Sequence, residues 1–179
     1  ATGMCDVMEA CQRGVVDYAF LGGGQIDAYG NLNSTVIGDY DHPKVRFPGS
    51  GGANDFASFC WHTLIMTQHD ARRFVERVDF LTSPGYLTGA GAREEAGLPP
   101  NTGPYRVITD LAVMGFDEKT KRMQVEYLHP GVSFEQVQQN TGFEMLQGDE
   151  VHETQPPSEG ELRVLREQVD PHGYLIGRA

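Results

Sequence analysis

The sequence predicts an α/β fold in which a mostly parallel sheet is covered by helices. Apolar residues recur at helical spacing near the start of the chain, at Met4, Val7, Met8 and Cys11. Short apolar runs rich in β-branched residues then alternate with further helical patterns. Glycine-rich loops separate the strands from the helices, in the order that a parallel sheet with crossover helices requires.

Length and charge limit what the chain can do. Its 179 residues suit one domain spanning residues 1–179, and 14 basic against 25 acidic side chains give a net charge of −11. Because no basic stripe is present, nucleic acid is not an expected partner. No apolar run approaches the ~20 residues needed to cross a bilayer, and no signal-peptide pattern is visible, so we expect a cytoplasmic location and no membrane partner. The spacing of the three cysteines and the scatter of the six histidines give no reason to expect a metal site.

The first helix is expected to end at Gly14. The largely apolar run 15–21 then predicts a buried strand that ends at a triple glycine. Residues 33–40 predict a second strand, which the chain reaches through a turn at 29–31.

The middle of the chain predicts a helix, a strand and a second helix. Asn54 is the expected N-cap of a helix that carries Phe56, Phe59 and Cys60. The run 63–66 predicts a strand, and helical spacing over 71–78 predicts the second helix.

Residues 82–104 form a long glycine-rich segment without periodicity, which is typical of a functional loop. An antiparallel hairpin is predicted near 105–129, with its turn at 117–121. Two capping boxes, Ser133 with Gln136 and Ser158 with Glu161, predict helices that begin at those serines. The acidic stretch 144–170 indicates a solvated surface.

Two glycine loops are the candidate functional sites. The string Gly49-Ser50-Gly51-Gly52-Ala53-Asn54 precedes a predicted helix, and its backbone N–H groups could stabilise an oxyanion; the alternative is a tight structural turn. It matches neither the Walker A loop nor the dinucleotide-binding pattern. The string Gly22-Gly23-Gly24-Gln25 follows a predicted strand, where open α/β sheets bind ligands, although a sharp turn against a second subunit explains it as well.

The chain closely resembles the β subunit of glutaconate CoA-transferase, a class I CoA-transferase. The resemblance rests on GGGQIDAYGNLNST (22–35) followed by RFPGSGGAN (46–54). It continues in order through RRF (72–74), TSPG (82–85), FDEKTKRM (116–123) and NTGF (140–143), and so covers essentially the whole chain.

The resemblance implies a fold shared with ribose-phosphate isomerases, a homologous α subunit as partner, and an active site between the two subunits. A β-subunit glutamate would attack the acyl-CoA thioester and pass through an anhydride to a glutamyl-CoA thioester, with coenzyme A as substrate and no tightly bound cofactor. By resemblance, Gly51, Gly52 and Ala53 supply oxyanion donors. Gly22, Gly23, Gly24, Gln25, Asn31 and Asn54 belong to the substrate pocket.

The nucleophilic glutamate of the family lies in a Glu-Ser-Gly or Glu-Asn-Gly string, and these 179 residues contain neither. We expect the chain to be the C-terminal portion of a longer β subunit, with the glutamate upstream; loss of the nucleophile is the other interpretation. The alternative functions are a hydrolase, decarboxylase or ring-opening enzyme acting on an acyl-CoA, or a non-catalytic partner subunit.

Overall fold

The computed structural model describes residues 2–174 and Gly177. Its helices are α1 (Met4–Gln12), α2 (Ala53–Phe59), α3 (Ala92–Glu95), α4 (Phe134–Gln139) and α5 (Glu159–Val164), the last continued by a π-helical segment, Leu165–Val169. Its strands are β1 (Tyr18–Leu21), β2 (Gln25–Ile26), β3 (Leu32–Asn33), β4 (Val36–Gly38), β5 (Pro43–Arg46), β6 (His62–Met66), β7 (Pro104–Ile108), β8 (Ala112–Phe116), β9 (Met123–Leu128) and β10 (Leu146–Glu153). Within the described ranges, no helix is long and apolar enough to span a membrane.

Six strands form the main sheet in the order β1-β6-β7-β8-β9-β10. The pairs β1/β6, β6/β7 and β9/β10 are parallel, whereas β7/β8 and β8/β9 are antiparallel. This confirms the mostly parallel α/β sheet. The predicted hairpin is also present as β8 and β9, but β7 extends it to a three-stranded meander because the chain turns at Thr109, whose hydroxyl accepts the N–H groups of Leu111 and Ala112.

One face of the sheet carries the core. Side chains from its central strands, such as Ile65, Val107 and Met114, pack against Ile26 of β2 and Val137 of α4. A second, smaller cluster joins α1, α2 and β1 through Cys11, Cys60 and Ala19. The core face is therefore covered partly by helices and partly by the irregular β2–β3 layer.

The opposite face of β1, β6 and β7 is open to solvent. Phe20 is 67% exposed, and Tyr18, Met66 and Tyr105 are also exposed, while Tyr18 stacks on His62 at a centroid distance of 5.3 Å. The strand predicted over 15–21 is present as β1, although it begins at Tyr18; its predicted burial was wrong, since β1 is an edge strand with one uncovered face. We refer to this surface as the open face.

The helix predicted over 71–78 is absent. The backbone there pairs with β2 instead: Ile26 N–H donates to the Arg73 carbonyl (2.7 Å), and Val75 N–H donates to the Ile26 carbonyl (3.0 Å). Phe74 is fully buried and stacks on His69 at 4.0 Å. Tertiary pairing thus overrides a periodic pattern that a helix would also explain.

The two capped helices are confirmed, because Ser133 and Ser158 each accept a backbone N–H three residues later. Strand β10 was missed within the acidic stretch assigned to a solvated surface. It lies at the sheet edge and is mostly exposed, so its side chains lack the apolar alternation that marks a half-buried strand. The long loop 82–104 contains only the short α3.

His69 joins three segments at the end of β6. Its Nε2 lies 2.9 Å from the Thr141 hydroxyl and its Nδ1 lies 3.2 Å from the Thr109 hydroxyl. Burial lowers the pKa of His69 to about 4 from 6.5. The neutral ring is therefore the form that the fold contains.

We predict that His69 makes stability fall as the pH falls from about 6.5 towards 4. In that interval the unfolded chain binds a proton at this site and the folded chain does not, so acid favours unfolding by about 2 kcal/mol at pH 4.5. Urea unfolding at pH 7 and pH 4.5 measures the free energy of unfolding, and the decrease between the two pH values should be smaller for His69→Gln than for the wild type. Equal losses in the two proteins would contradict the assignment.

Candidate functional site

The two glycine loops meet on one short segment of backbone. Gly24 N–H donates to the Asn33 carbonyl (2.8 Å), and Gly49 N–H donates to the Ser34 carbonyl (2.9 Å). The Ser34 hydroxyl also donates to the Gly49 carbonyl (3.1 Å). Two loops that the sequence separates by 24 residues therefore bond to adjacent residues of the same segment.

The triple-glycine loop (residues 22–24) follows β1 and is closely packed. A Cβ on Gly24 would lie 2.3 Å from the ring of Phe47, and one on Gly23 would lie 3.2 Å from the Asn33 carbonyl oxygen. Gly22 is exposed beside the end of β6. Packing within the chain thus accounts for at least Gly24, whatever role the loop has towards a ligand.

The Gly-Ser-Gly-Gly loop (residues 49–52) is more open. Gly49 and Gly51 have φ values of +96° and +52°, which favour glycine, and a Cβ on either would meet nothing within 4 Å. The N-cap of α2 is Gly52, and Asn54 is already inside the helix. The prediction of Asn54 as N-cap was therefore wrong. Its own backbone N–H is one of the first of the helix and donates to the Ser50 hydroxyl at 3.1 Å.

Only some of the predicted oxyanion donors are available. Ala53 N–H donates to the Ser50 carbonyl at 2.8 Å. Within the part of the chain that the structure describes, the N–H groups of Gly51 and Gly52 have no acceptor. Two adjacent amides at the start of α2 can therefore bind an anionic oxygen, and Ala53 supports the turn that presents them.

Gln25 is buried and its amide is used within the chain. Its Oε1 accepts hydrogen bonds from Asn33 Nδ2 (2.7 Å) and the Asp79 N–H (3.0 Å), and its Nε2 donates to Asp79 Oδ2 (3.2 Å). It holds β2, β3 and the loop at residue 79 together.

The side-chain amide of Asn31 makes four hydrogen bonds. Its Nδ2 donates to Asp27 Oδ2 (2.9 Å) and to the Leu87 carbonyl (2.8 Å). Its Oδ1 accepts the N–H groups of Gly85 (2.8 Å) and Leu87 (3.1 Å). The amide is saturated, so the contacts of Asn31 in this chain are structural, and its predicted role towards substrate stays a prediction.

A cavity of about 630 Å³ lies beside Asn31. Asp27, Tyr29 and residues 76–79 line it, together with Leu87. None of the glycines of the two loops is among its lining residues. This cavity is therefore not lined by the candidate oxyanion loop.

Asn54 and Thr82 connect α2 to the loop 82–85. Asn54 Nδ2 donates to the Thr82 carbonyl (3.0 Å), and the Thr82 hydroxyl accepts the Ser34 N–H (2.9 Å). Sequence reasoning missed Thr82 and also Arg93, whose buried guanidinium contacts the end of α2. Neither residue lies in a motif whose pattern indicates such contacts.

Comparison with known proteins places these features in a family. The sequence pattern of the family described as Coenzyme A transferase matches residues 2–140. The β subunit of glutaconate CoA-transferase from Acidaminococcus fermentans is 50% identical over 158 residues, which are 88% of this chain and 59% of that protein. The β subunit of 3-oxoadipate CoA-transferase from Pseudomonas knackmussii is 44% identical over 155 residues, which are 87% of this chain and 59% of that protein. The chain therefore spans about three fifths of the length of these curated relatives.

A solved structure is similar in fold. The crystal structure of glutaconate coenzyme A-transferase from Acidaminococcus fermentans superposes with a TM-score of 0.86 at 48% identity, covering 90% of this chain and 62% of that chain. The fold of this chain is thus similar to one already determined by crystallography.

We predict that Asn31→Asp destabilises the fold strongly at neutral pH. The new carboxylate would face Asp27, whose pKa burial already raises, in place of the amide that donates to it at 2.9 Å. We expect a loss of about 3 kcal/mol at pH 7, part of which is recovered at pH 5 as the two carboxyls share a proton. Urea unfolding measures it, with Asn101→Asp on the exposed loop as control; equal losses in the two variants would contradict the structural role of Asn31.

Proposed function

Because the chain belongs to the coenzyme A transferase family, we propose that it acts as the β subunit of a heteromeric transferase that moves CoA from an acyl-CoA to a carboxylic acid. The observation that carries the proposal is the pair of N–H groups at Gly51 and Gly52, which have no acceptor among the described residues, in a loop that bonds to the same segment 33–34 as the triple-glycine loop. A thioester carbonyl under attack develops an oxyanion, which such amides stabilise.

The proposed reaction is a double displacement in four attacks. A glutamate carboxylate attacks the thioester carbonyl, so that CoA leaves as thiolate and an acyl-glutamyl anhydride forms. The thiolate attacks the glutamyl carbonyl of that anhydride, which releases the first acid and leaves a glutamyl-CoA thioester. The second acid then attacks the glutamyl-CoA carbonyl, giving a new anhydride and the thiolate. Attack of the thiolate on the acyl carbonyl completes the exchange and frees the glutamate.

Each attack passes through a tetrahedral species with a negatively charged oxygen. Two features hold the amides of Gly51 and Gly52 in place. Gly52 is the N-cap of α2, and the Ala53 N–H donates to the Ser50 carbonyl across the turn. The two amides need little reorganisation when the charge develops, which is the condition for strong oxyanion stabilisation. Gly22, Gly23, Gly24 and Asn54 are proposed to face the substrate beside them.

The proposed partners are a homologous α subunit and small-molecule substrates, with the enzyme acting in the cytoplasm. Relatives named for glutaconate and 3-oxoadipate indicate a dicarboxylate or 3-oxoacid as the acyl group. Coenzyme A is proposed as substrate rather than as a resident cofactor.

Exchange of labelled CoA between two acids tests the proposal, with the β subunit assembled with its α partner. We expect ping-pong kinetics and a glutamyl-CoA thioester that hydroxylamine or borohydride traps, at a glutamate that mass spectrometry locates. Sequential kinetics without a trapped glutamate, or release of only free acid and CoA, would favour a hydrolase or ring-opening enzyme. An assembled complex that alters no acyl-CoA would indicate a non-catalytic subunit.

Gly51→Val is expected to lower kcat by about 10²- to 10³-fold, because a β-branched side chain at φ +52° strains the backbone that presents the two amides and crowds the exposed loop. Gly131→Val is the matched control, since Gly131 also has positive φ (+79°) and open space around it. Both variants should lose similar thermal stability, and only Gly51→Val should lose turnover. Equal kcat values in the two variants would argue against an oxyanion role for this loop.

A further inference from the structure

Arg93 is a buried cation without a buried anion to balance it. The residue is 3% exposed, and no carboxylate of the described residues lies within ion-pair distance of its guanidinium. Removing an unpaired charge from water is costly unless hydrogen bonds replace its hydration. Here Nη1 and Nη2 make such bonds, whereas the buried Nε has no partner among the described residues.

The guanidinium joins three segments of the chain. Its Nη1 donates to the carbonyls of Pro84 (3.2 Å) and Gly85 (2.8 Å). Its Nη2 lies 3.1 Å and 3.3 Å from the carbonyls of Ala57 and Ser58, and 2.8 Å from the Thr102 hydroxyl. Every acceptor is neutral, so the contacts act by geometry rather than by ion pairing.

The carbonyls of Ala57 and Ser58 belong to the last turn of α2, where helix carbonyls lack partners of their own. Arg93 therefore satisfies the C-terminal end of α2. At the other end of this helix, Asn54 donates to the Thr82 carbonyl. Both ends of α2 are thus bonded to the segment 82–85, directly at the start and through Arg93 at the end.

A helix of seven residues is only about 10 Å long, so its start moves when its end moves. The start of α2 presents the free N–H groups of Gly51 and Gly52. The segment 82–85 is held in turn by β3, because the N–H groups of Thr82 and Ser83 donate to the Leu32 carbonyl at 2.9 Å and 3.1 Å.

We propose that Arg93 is a positioning residue that fixes α2, and with it the amides of Gly51 and Gly52, against the segment 82–85. The inference rests on the proposed function for its kinetic consequence, but not for its structural one. Arg93 is too deeply buried within its own chain to contact substrate, and it acts through the helix.

Arginine suits this position and lysine does not. A planar guanidinium directs N–H groups at acceptors on two edges, whereas an ammonium is a compact group with three donors. The side chain also packs against Gly103, where a Cβ would lie 3.4 Å from both Cδ and Nε of Arg93.

Arg93→Met keeps the length of the side chain and removes its donors. Arg106→Met is the control, because it also removes a guanidinium that bonds within the chain, 2.9 Å from Glu126, but one that makes no hydrogen bond to α2 among the described residues. Amide hydrogen exchange is followed in the wild-type and variant chains at a temperature where circular dichroism shows each to be folded. We expect exchange of residues 49–60 to accelerate at least ~10-fold in Arg93→Met, with little change in β8 and β9.

The same variants in the assembled transferase should separate kcat from KM. Arg93→Met is expected to lower kcat by roughly 10- to 100-fold with KM for acyl-CoA within about 3-fold, because binding survives and oxyanion positioning does not. Arg93→Lys should recover only part of kcat, and Arg106→Met should keep it.

Uniform acceleration of exchange across the chain, unchanged exchange at 49–60, or full kcat in folded Arg93→Met would overturn the proposal. If Arg93→Met does not fold, Thr102→Val removes one acceptor with little change in shape, and the same local pattern is expected at a smaller fold-change. Absence of CoA transfer in the wild-type complex would refute the proposed function alone, since the exchange data decide the role of Arg93 independently.

Discussion

Hydrogen bonds from three irregular segments converge on residues 32–35, and the arrangement of the site depends on this convergence. The triple-glycine loop bonds to Asn33, the loop 47–49 bonds to Ser34 and Thr35, and the segment 82–83 bonds to Leu32. Buried backbone groups outside helices and strands must find partners elsewhere. Because all three find them on the same four residues, backbone hydrogen bonds set the relative positions of the glycine loops, and the packing of Phe47 against Gly24 adds to them.

The parts of the fold that follow from local chemistry could be predicted from the sequence. Ser133 and Ser158 cap helices through bonds that span three residues, and Asp117 closes its turn by accepting the N–H and hydroxyl of Thr120. The prediction of a helix over 71–78 was wrong because Phe74 in this segment pairs with Ile26, which is remote in sequence. A periodic apolar pattern shows that a segment has a buried face, but it does not show which partner buries it.

In the candidate site, too, the sequence located residues in local motifs but not the contacts that depend on remote segments. Composition and resemblance located Gly51 and Gly52, and their free amides are consistent with the role that was predicted. Sequence could not show that the Ala53 amide is used within the turn, or that Gln25 and Asn31 are fully bonded within the chain. Arg93 was missed for the same reason, because an arginine followed by two glutamates in a short helical segment is usually an exposed residue.

The open face has a consequence for how molecules of this chain meet one another in solution. Aromatic and sulfur-containing side chains on β1, β6 and β7 form an apolar surface next to an edge strand whose outer backbone groups are unpaired within the described sheet. Such a surface favours self-association, which the net charge of −11 opposes. Since salt screens that repulsion over a distance of about 10 Å at 0.1 M, the isolated chain should associate with itself more strongly as ionic strength rises.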